Sequence, residues 1–341
     1  MSPTVYDISK AAGVSLATVD RVLNNRPGVR KVTYDKVQRA VKEIGYVRDI
    51  SAANLARRKV YRFAFLLPDS QEQFVATIRD SLQKVEAVQV TDRTRISVHS
   101  IPINDPHATA RKMDLFAPED IDGVAVMAQE TPQVRDAMAR LRERNIAVVA
   151  FVSGQPLVAQ DHFIGIDNVA AGRTAGMLMG RFLCRKDAKI LTISHSVQAR
   201  DSLERRLGFD AVMREQFPGV EVLPTLETHA DPLRAEKVIA QSASVHRNIS
   251  GVYLLVSASP ALLCSLRGTG LFSGTVTIAH ELTPHTRESL IKGEVDAVIT
   301  QNVGHLVRSA LRVLRSKCDG RGFDPSQEKI RIEIVTRENL N

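Results

Sequence analysis

"SLATVDRVLNNRPGVRKVT" occupies residues Ser15 to Thr33. Ser15 is a residue type that caps helices, and Val19, Val22 and Leu23 behind it fall on one stripe, which predicts a short helix with one buried side. The opposite side offers Ala17, Thr18, Asp20, Arg21 and Asn24, and "NNRPG" ends the helix in a loop. A helix that only propped up a core would need no such outward face, and a cationic turn with Arg26, Arg30 and Lys31 follows it directly.

The flanking sequence supplies partners for the buried stripe. Thr4 and Asp7 fit the [ST]-x-x-[DE] pattern of a helix start, Ile8, Ala11 and Ala12 continue it, and Gly13 breaks it. Thr33 is predicted to cap a third helix, with Val37, Ala40, Val41 and Ile44 on one face and Gly45 after it. Three short helices, the first two joined through a glycine, describe a helix-turn-helix module.

Charge locates its partner. Residues 1–60 hold 12 Lys and Arg against 5 Asp and Glu, whereas residues 61–341 hold 34 against 33, so most of the formal +8 sits in the first sixth of the chain. A basic module on a near-neutral body implies a polyanionic partner. The 44% hydrophobic content gives the remainder enough apolar surface for a large core. No apolar run reaches the roughly 18 residues that span a bilayer, and "MSPTVYDISK" has no signal-peptide core, so a cytoplasmic protein with no membrane partner is expected. Cys184, Cys264 and Cys318 are isolated and read as small buried hydrophobes rather than a disulfide or zinc framework.

"YVRDISAANLARRKVYR" reads as a basic linker in which Ser51 caps a helix of one and a half turns, Ala52 to Arg57. A helix so short is marginal in water and needs something to hold it. From Tyr61 the texture changes to eleven short apolar runs, "YRFAFLLPD", "ISVHSIPI", "GVAVMAQ", "AVVAFVS", "HFIGID", "KILTISH", "EVLPTLE", "GVYLLVSA", "TVTIAHE", "DAVITQ" and "RIEIVTR", with helical patterns between them. Near-continuous apolar strands alternating with helices indicate a doubly wound α/β fold, and eleven strands indicate two sheets. No phosphate loop, GxSxG elbow or metal-ligand spacing is present, so no catalytic residue, cofactor or metal is assigned.

"VYDISKAAGVSLATVDRVLNNRPGVRKVTYDKVQRAVKEIGYV", continued by the hinge "AANLARR", resembles the DNA-binding head of the LacI/GalR family of bacterial transcription regulators. The resemblance implies that the second helix enters the major groove, with Leu16, Ala17 and Arg21 reading bases. It implies backbone contacts from Thr4, Tyr6, Thr18, Asn24 and Thr33, and a hinge around Ala52 whose Leu55 wedges into the minor groove, while Arg26, Arg30 and Lys31 of the cationic turn sit where phosphate contacts would anchor the module. The helical wheel, by contrast, sets Leu16 at the edge of the buried stripe. The family usually has Ser or Thr where this chain has Asp20, so that carboxylate either accepts from a base amine or pairs with Arg21 or Arg26.

The body resembles a periplasmic sugar-binding fold, a type I two-lobed α/β domain with ligand between the lobes. The domains expected are residues 1–46 (head), 47–60 (hinge) and 61–341 (effector binding and dimerisation). Within the last, one lobe covers about 61–168 and 301–322, the other about 169–300 and 323–341. Ligands of open parallel sheets bind beyond the carboxyl ends of the strands. Candidates there are Asp69, Phe74, Ser153, Asp167, Arg205, Ser257, Glu281 and Gln301. Arg205 in "ERRLGF" matches the family's effector arginine in R-x-x-G-F, and Asp167 in "GIDN" reads equally as a cleft carboxylate or a strand-end turn. Val152-Ser153 and Ser257-Ala258 stand where sugar binders often carry Asp-Arg and Asn-Asp.

The implied protein is a homodimeric transcription regulator, a repressor. It binds a near-palindromic duplex under the control of a sugar, polyol or sugar acid. The alternatives are a helix-turn-helix fused to a sugar-processing enzyme and a DNA-bending protein without effector.

Overall fold

The computed structural model describes all residues except 1–2, 25, 47–58, 71, 90–92, 155–161, 184–186, 198, 247 and 341. The chain divides into two compact units, residues 1–59 and 60–341.

In the first unit, α1 (Val5–Ala12) opens with a reciprocal capping box between Thr4 and Asp7 and closes on Gly13 at φ 62°, a left-handed conformation that favours glycine. Ser9 Oγ donates to the Val14 carbonyl at 2.6 Å, fixing the turn into α2 (Leu16–Leu23), which Ser15 caps. The third helix, α3 (Lys31–Glu43), starts earlier than the sequence pattern suggested. Its N-cap is Arg30, with no side-chain cap bond, and Thr33 lies inside the first turn. Ile8, Val19, Val22, Val37 and Ala40 form the fully buried centre. Five such side chains leave little margin, because a small domain buries only part of its apolar surface.

The second unit holds two sheets. The first has the order β2-β1-β3-β4-β5, from β1 (Tyr61–Pro68), β2 (Thr94–Ile101), β3 (Gly123–Val126), β4 (Ala147–Phe151) and β5 (His162–Ile164), all parallel. The second has the order β12-β11-β10-β9-β6-β7. It is built from β6 (Lys189–Ser194), β7 (Glu221–Val222), β9 (Ile249–Ser257), β10 (Val276–His280), β11 (Ala297–Thr300) and β12 (Glu333–Val335), with β8 (Leu226–Glu227) also on β6. The run "EVLPTLE" thus resolves into two strands of two residues each, separated around Pro224, and "RIEIVTR" contributes the antiparallel edge strand β12. The described strands number twelve rather than eleven.

Strand alternation sorts the core. Phe63, Phe65 and Leu67 of β1 enter one apolar layer, while Ala64 and Leu66 enter the other. Tyr253 and Leu255 of β9 divide from Val252 and Leu254 in the same way. This is the two-residue side-chain period of a strand covered on both faces. The chain passes between the sheets three times. It leaves β5 for the helix Asn168–Phe182, returns after β11 as the helix Val303–Cys318 on β1, β3, β4 and β5, and ends at β12. All strands but β12 are parallel to their neighbours, so each sheet gathers its carboxyl ends on one edge.

Cys264 is exposed and Cys318 half-buried, unlike the buried positions expected for them, and Cys184 lies outside the described residues.

The head's core supplies a test. Ile8→Ala removes a buried side chain at a cost of about 2–5 kcal/mol, comparable with the whole stability of so small a unit. In the full chain this variant is expected to lose the head's dispersed amide resonances and become cleavable within residues 5–43. The body's melting transition should not move. A head that stays dispersed and protected would refute this account of its core.

Candidate functional site

The outward side of α2 is open. Leu16 is 47% exposed, and Ala17, Asp20 and Arg21 are exposed beside it, with Thr18 and Asn24 half-buried. Leu16 therefore belongs to the outer face as well as to the stripe's edge. Tyr6 is 66% exposed, and Thr4 and Arg30 are exposed too. Of the partners considered for Asp20, the structure selects Arg26, whose Nη1 lies 3.2 Å from Oδ2, while Asn24 Nδ2 donates to Oδ1 at 2.6 Å. Both members of the ion pair are more than half exposed, so it adds little stability. What it does is hold Asn24 and Arg26 in one orientation. Ala52 and Leu55 lie outside the described residues.

In the second unit, the carboxyl edges of the sheets gather a polar cluster. Its anchor is Arg205, 4% exposed, on the helix Arg200–Gln216. That helix presses against Asn168–Phe182 backbone to backbone: a Cβ on Gly208 would sit 2.0 Å from the Val169 carbonyl oxygen, and one on Gly172 1.9 Å from that of Arg205. Only glycine fits at either point. The approach turns Arg205 inward, where Nε donates to Asn168 Oδ1 at 2.9 Å and Nη1 to the Leu255 carbonyl at 2.8 Å. Nη2 stands 3.6 Å from Glu281 Oε1.

Glu281 follows β10 with φ 63°, a costly conformation for a side chain with a Cβ. Its N–H donates to the Ile299 carbonyl at 2.9 Å, and its Oε1 accepts from Gln301 Nε2 at 3.1 Å. Glu281 Oε2 and Gln301 Oε1 are buried acceptors without a protein partner. Burial raises the Glu281 carboxyl to about 7, against the pull of Arg205. The adjacent His280 points the other way, into the core, with Nε2 2.8 Å from Tyr253 Oη, and burial holds its pKa well below the usual imidazole value.

Contacts among the described residues join the edges of the two sheets. Arg200 Nη1 meets Glu130 Oε2 at 2.5 Å while its Nε holds Glu204 at 2.8 Å. His195 Nε2 stands 3.8 Å from Glu72 Oε1, with Nδ1 2.8 Å from Thr228 Oγ1. Burial lowers His195 and raises Glu72, which weakens the charge on both.

The other candidates take separate places. Asp167 is exposed, and its carboxylate accepts from the Ala170 N–H at 2.9 Å, capping the helix Asn168–Phe182. Phe74 sits within the first lobe's core. Asp69 is exposed with its N–H on the Ile101 carbonyl, and Ser153 and Ser257 are half-buried at strand ends. Sequence reading passed over Asn168, the residue beside Asp167 that orients Arg205, and Glu72, Glu130 and Arg200. Among the described residues no group of His, Cys, Asp and Glu is placed to hold a metal ion, and no helix is long and apolar enough to cross a membrane.

The raised Glu281 pKa makes stability depend on pH. The folded chain keeps this proton up to about pH 7, whereas an unfolded glutamate releases it near 4.3. The resulting stability is complete below the unfolded value and is lost as pH rises through about 7. Calorimetry on ligand-free protein should show wild type losing about 2–3 kcal/mol relative to Glu281→Gln between pH 5 and 8. Parallel curves for the two proteins would contradict the burial of an ionisable group here.

The geometry has counterparts. Residues 63–322 match the family described as periplasmic binding protein domain, and residues 4–49 match the family described as bacterial regulatory proteins, lacI family. The HTH-type transcriptional regulator DegA of Bacillus subtilis (strain 168) is 26% identical over 176 residues, 51% of this chain and 51% of that protein. The chain spans about half the length of the curated relatives it matches. An ABC transporter solute-binding protein of Burkholderia graminis C4D1M, solved with D-arabinose, superposes with a TM-score of 0.73 at 20% identity, over 83% of this chain and 97% of that one. A putative LacI transcriptional regulator of Bacteroides fragilis superposes with a TM-score of 0.71 at 17% identity, over 83% and 99%. Through residues 63–322 the chain belongs to the periplasmic binding protein domain family, and in front of that domain it carries a head, residues 4–49, that matches the bacterial regulatory proteins of the lacI family.

Proposed function

We propose that this protein is a sequence-specific DNA-binding transcription regulator, a repressor, whose grip on a near-palindromic duplex is set by a small hydroxylated molecule in the interlobe cleft. The observation that carries this reading is the open face of α2. Leu16, Ala17 and Arg21 are exposed on a helix whose other side already has a complete core. Arg21 suits a guanine edge, and Ala17 a thymine methyl. Arg26, Arg30 and Lys31 stand ready for phosphates, which fix register without reading sequence.

The regulator works as a homodimer in the cell interior, since two-fold symmetry matches two half-sites. The segment with Ala52 and Leu55 meets the minor groove between the two half-sites, where Leu55 wedges a base step. Ligand between the lobes favours one lobe placement and so changes the hinge spacing. A coupling of about 1–3 kcal/mol is enough to switch binding. Arg205, Glu281 and Gln301 are the residues that take the ligand, with Asp69, Ser153 and Ser257 at the strand ends around them. No chemistry is performed on the ligand.

Selection from random duplexes with the full chain should return a two-fold symmetric site. Against it, Arg21→Ala is expected to lose about 1–3 kcal/mol and relax preference at one base pair per half-site. Leu55→Ala should weaken the same site. Arg205→Ala should bind it normally yet no longer respond to any compound that shifts the wild type. Recovery of no preferred sequence, even at low salt, would end this reading. A normal ligand response by Arg205→Ala would remove the cleft assignment alone.

A further inference from the structure

The mouth of the cleft is bridged by the protein's own side chains. Of the strands, β5 in the first sheet and β11 and β12 in the second carry the connections between the lobes. Glu130 follows β3, which β4 parts from β5, and Arg200 opens the helix after β6, which β9 and β10 part from β11. The Arg200 bridge therefore stands on the side of the cleft away from the connections. Glu281 and Gln301 follow β10 and β11, so the polar cluster lies nearer the connections, inside the bridge. Lobes that part must turn about the connections, and a contact on the far side opposes that turn with the longer lever.

Of the ties across the mouth, that of Arg200 is firmer than that of His195. Arg200 Nη1 meets Glu130 Oε2 at 2.5 Å, whereas His195 Nε2 stays 3.8 Å from Glu72. Arg200 also adjoins Gly154, which follows β4: a Cβ there would lie 3.7 Å from its Nε. The arginine is thus rooted in the second lobe and rests on the first over the ends of two neighbouring strands.

Release is built in as well. Arg200 Nε donates to Glu204, one turn along the same helix, at 2.8 Å. When Glu130 withdraws, the guanidinium keeps Glu204, and Glu130 is left to water. The side chains of Arg200, Glu130 and Glu204 are 40%, 30% and 28% exposed. Breaking a buried pair strands an uncompensated charge, and such a pair would lock the lobes. A partly exposed pair only biases them, by about fivefold or less in the ratio of closed to open. Both partners belong to the chain, so the bridge needs no small molecule in order to form.

We infer that Arg200 is a latch: its bridge to Glu130 holds the lobes of the resting protein together across the mouth, and a molecule reaching Arg205, Glu281 and Gln301 passes the opened latch. The regulator reading above gives the latch its consequence, a resting duplex affinity that is set before any effector binds.

The test reads lobe separation in the full chain with no compound added. Spin labels are placed on the native Cys264, exposed in the second lobe, and on Leu115→Cys, at a position 81% exposed in the first. Cys184 and Cys318 are replaced by serine, and labelled chain is diluted into unlabelled chain so that each distance lies within one protomer. Pulsed electron resonance should give a short and a long distance. Arg200→Ala and Glu130→Ala should each lower the short-to-long ratio, by up to about fivefold. The exchanged pair, Arg200→Glu with Glu130→Arg, should recover most of it. Salt at about 1 M, where charges are screened beyond about 3 Å, should lower the ratio in the original chain and not in Arg200→Ala. Ratios indifferent to these substitutions, or an exchanged pair no better than either single change, overturn the latch. The selected duplex separates this inference from the reading beneath it, since affinity for it should follow the short-to-long ratio across the variants. Distances that shift at fixed affinity would count against the regulator reading rather than the latch. If the chain selects no duplex, the regulator reading falls and the distances still decide the latch.

Discussion

The polar cluster at the carboxyl edges depends on a contact between two stretches of backbone. Where the helices Asn168–Phe182 and Arg200–Gln216 cross, Gly172 faces the Arg205 carbonyl and Gly208 faces that of Val169, too close for any side chain. Helices packed through ordinary side chains stand about 8–10 Å apart. These two come closer, and the gain is positional. Asn168 on one helix reaches Arg205 on the other, and the guanidinium then continues to the Leu255 carbonyl and Glu281. The charged centre of the site is set by backbone contact, which is stiffer than any arrangement of side chains.

That stiffness matters because the groups it holds are ones a core would otherwise reject. A buried carboxylate on a residue at positive φ, beside a buried arginine and an amide with an unmet oxygen, is a local loss of stability. The surrounding sheet offsets it: β9, β10 and β11 send apolar side chains into the core layers on both of their faces. His280 shows the same economy. One residue from Glu281, it turns into the core beside Tyr253 and burial holds it neutral, so the strand's alternation separates a packing histidine from a glutamate at the carboxyl edge.

Much of this was legible in the sequence, for physical reasons that differ by region. The head's caps are local chemistry, so Thr4, Asp7, Gly13 and Ser15 announced α1 and α2 correctly. Thr33 misled because a good capping residue also tolerates the first turn, and α3 began at Lys31 without a side-chain cap. The strands declared themselves as apolar runs, apart from "EVLPTLE", where Pro224 divides the pairing and no apolar pattern marks the break. In the cleft, Arg205 was visible as part of a motif, and Glu281 and Gln301 as strand-end polar residues. Asn168 was not. It sits beside Asp167 with an equally polar side chain, and only the helix crossing decides that the aspartate caps while the asparagine binds. Glu72, Glu130 and Arg200 are far apart in sequence, so their meeting across the sheet edges left no trace in local pattern.

The magnitudes suggest how such a cleft can be governed by a small molecule. The bridge from Arg200 to Glu130 is partly exposed on both sides, and ion pairs of that kind contribute about 1 kcal/mol or less. The approach of His195 to Glu72 is long and its charges are diminished by burial. Without ligand, then, the polar ties between the two sheet edges are weak. Each unmet acceptor at Glu281 and Gln301 stands to recover about 1–3 kcal/mol when a donor arrives, more than either bridge supplies. Under the proposed function, a ligand that met both acceptors and reached the opposite edge would outweigh the native ties and so set the placement of the lobes.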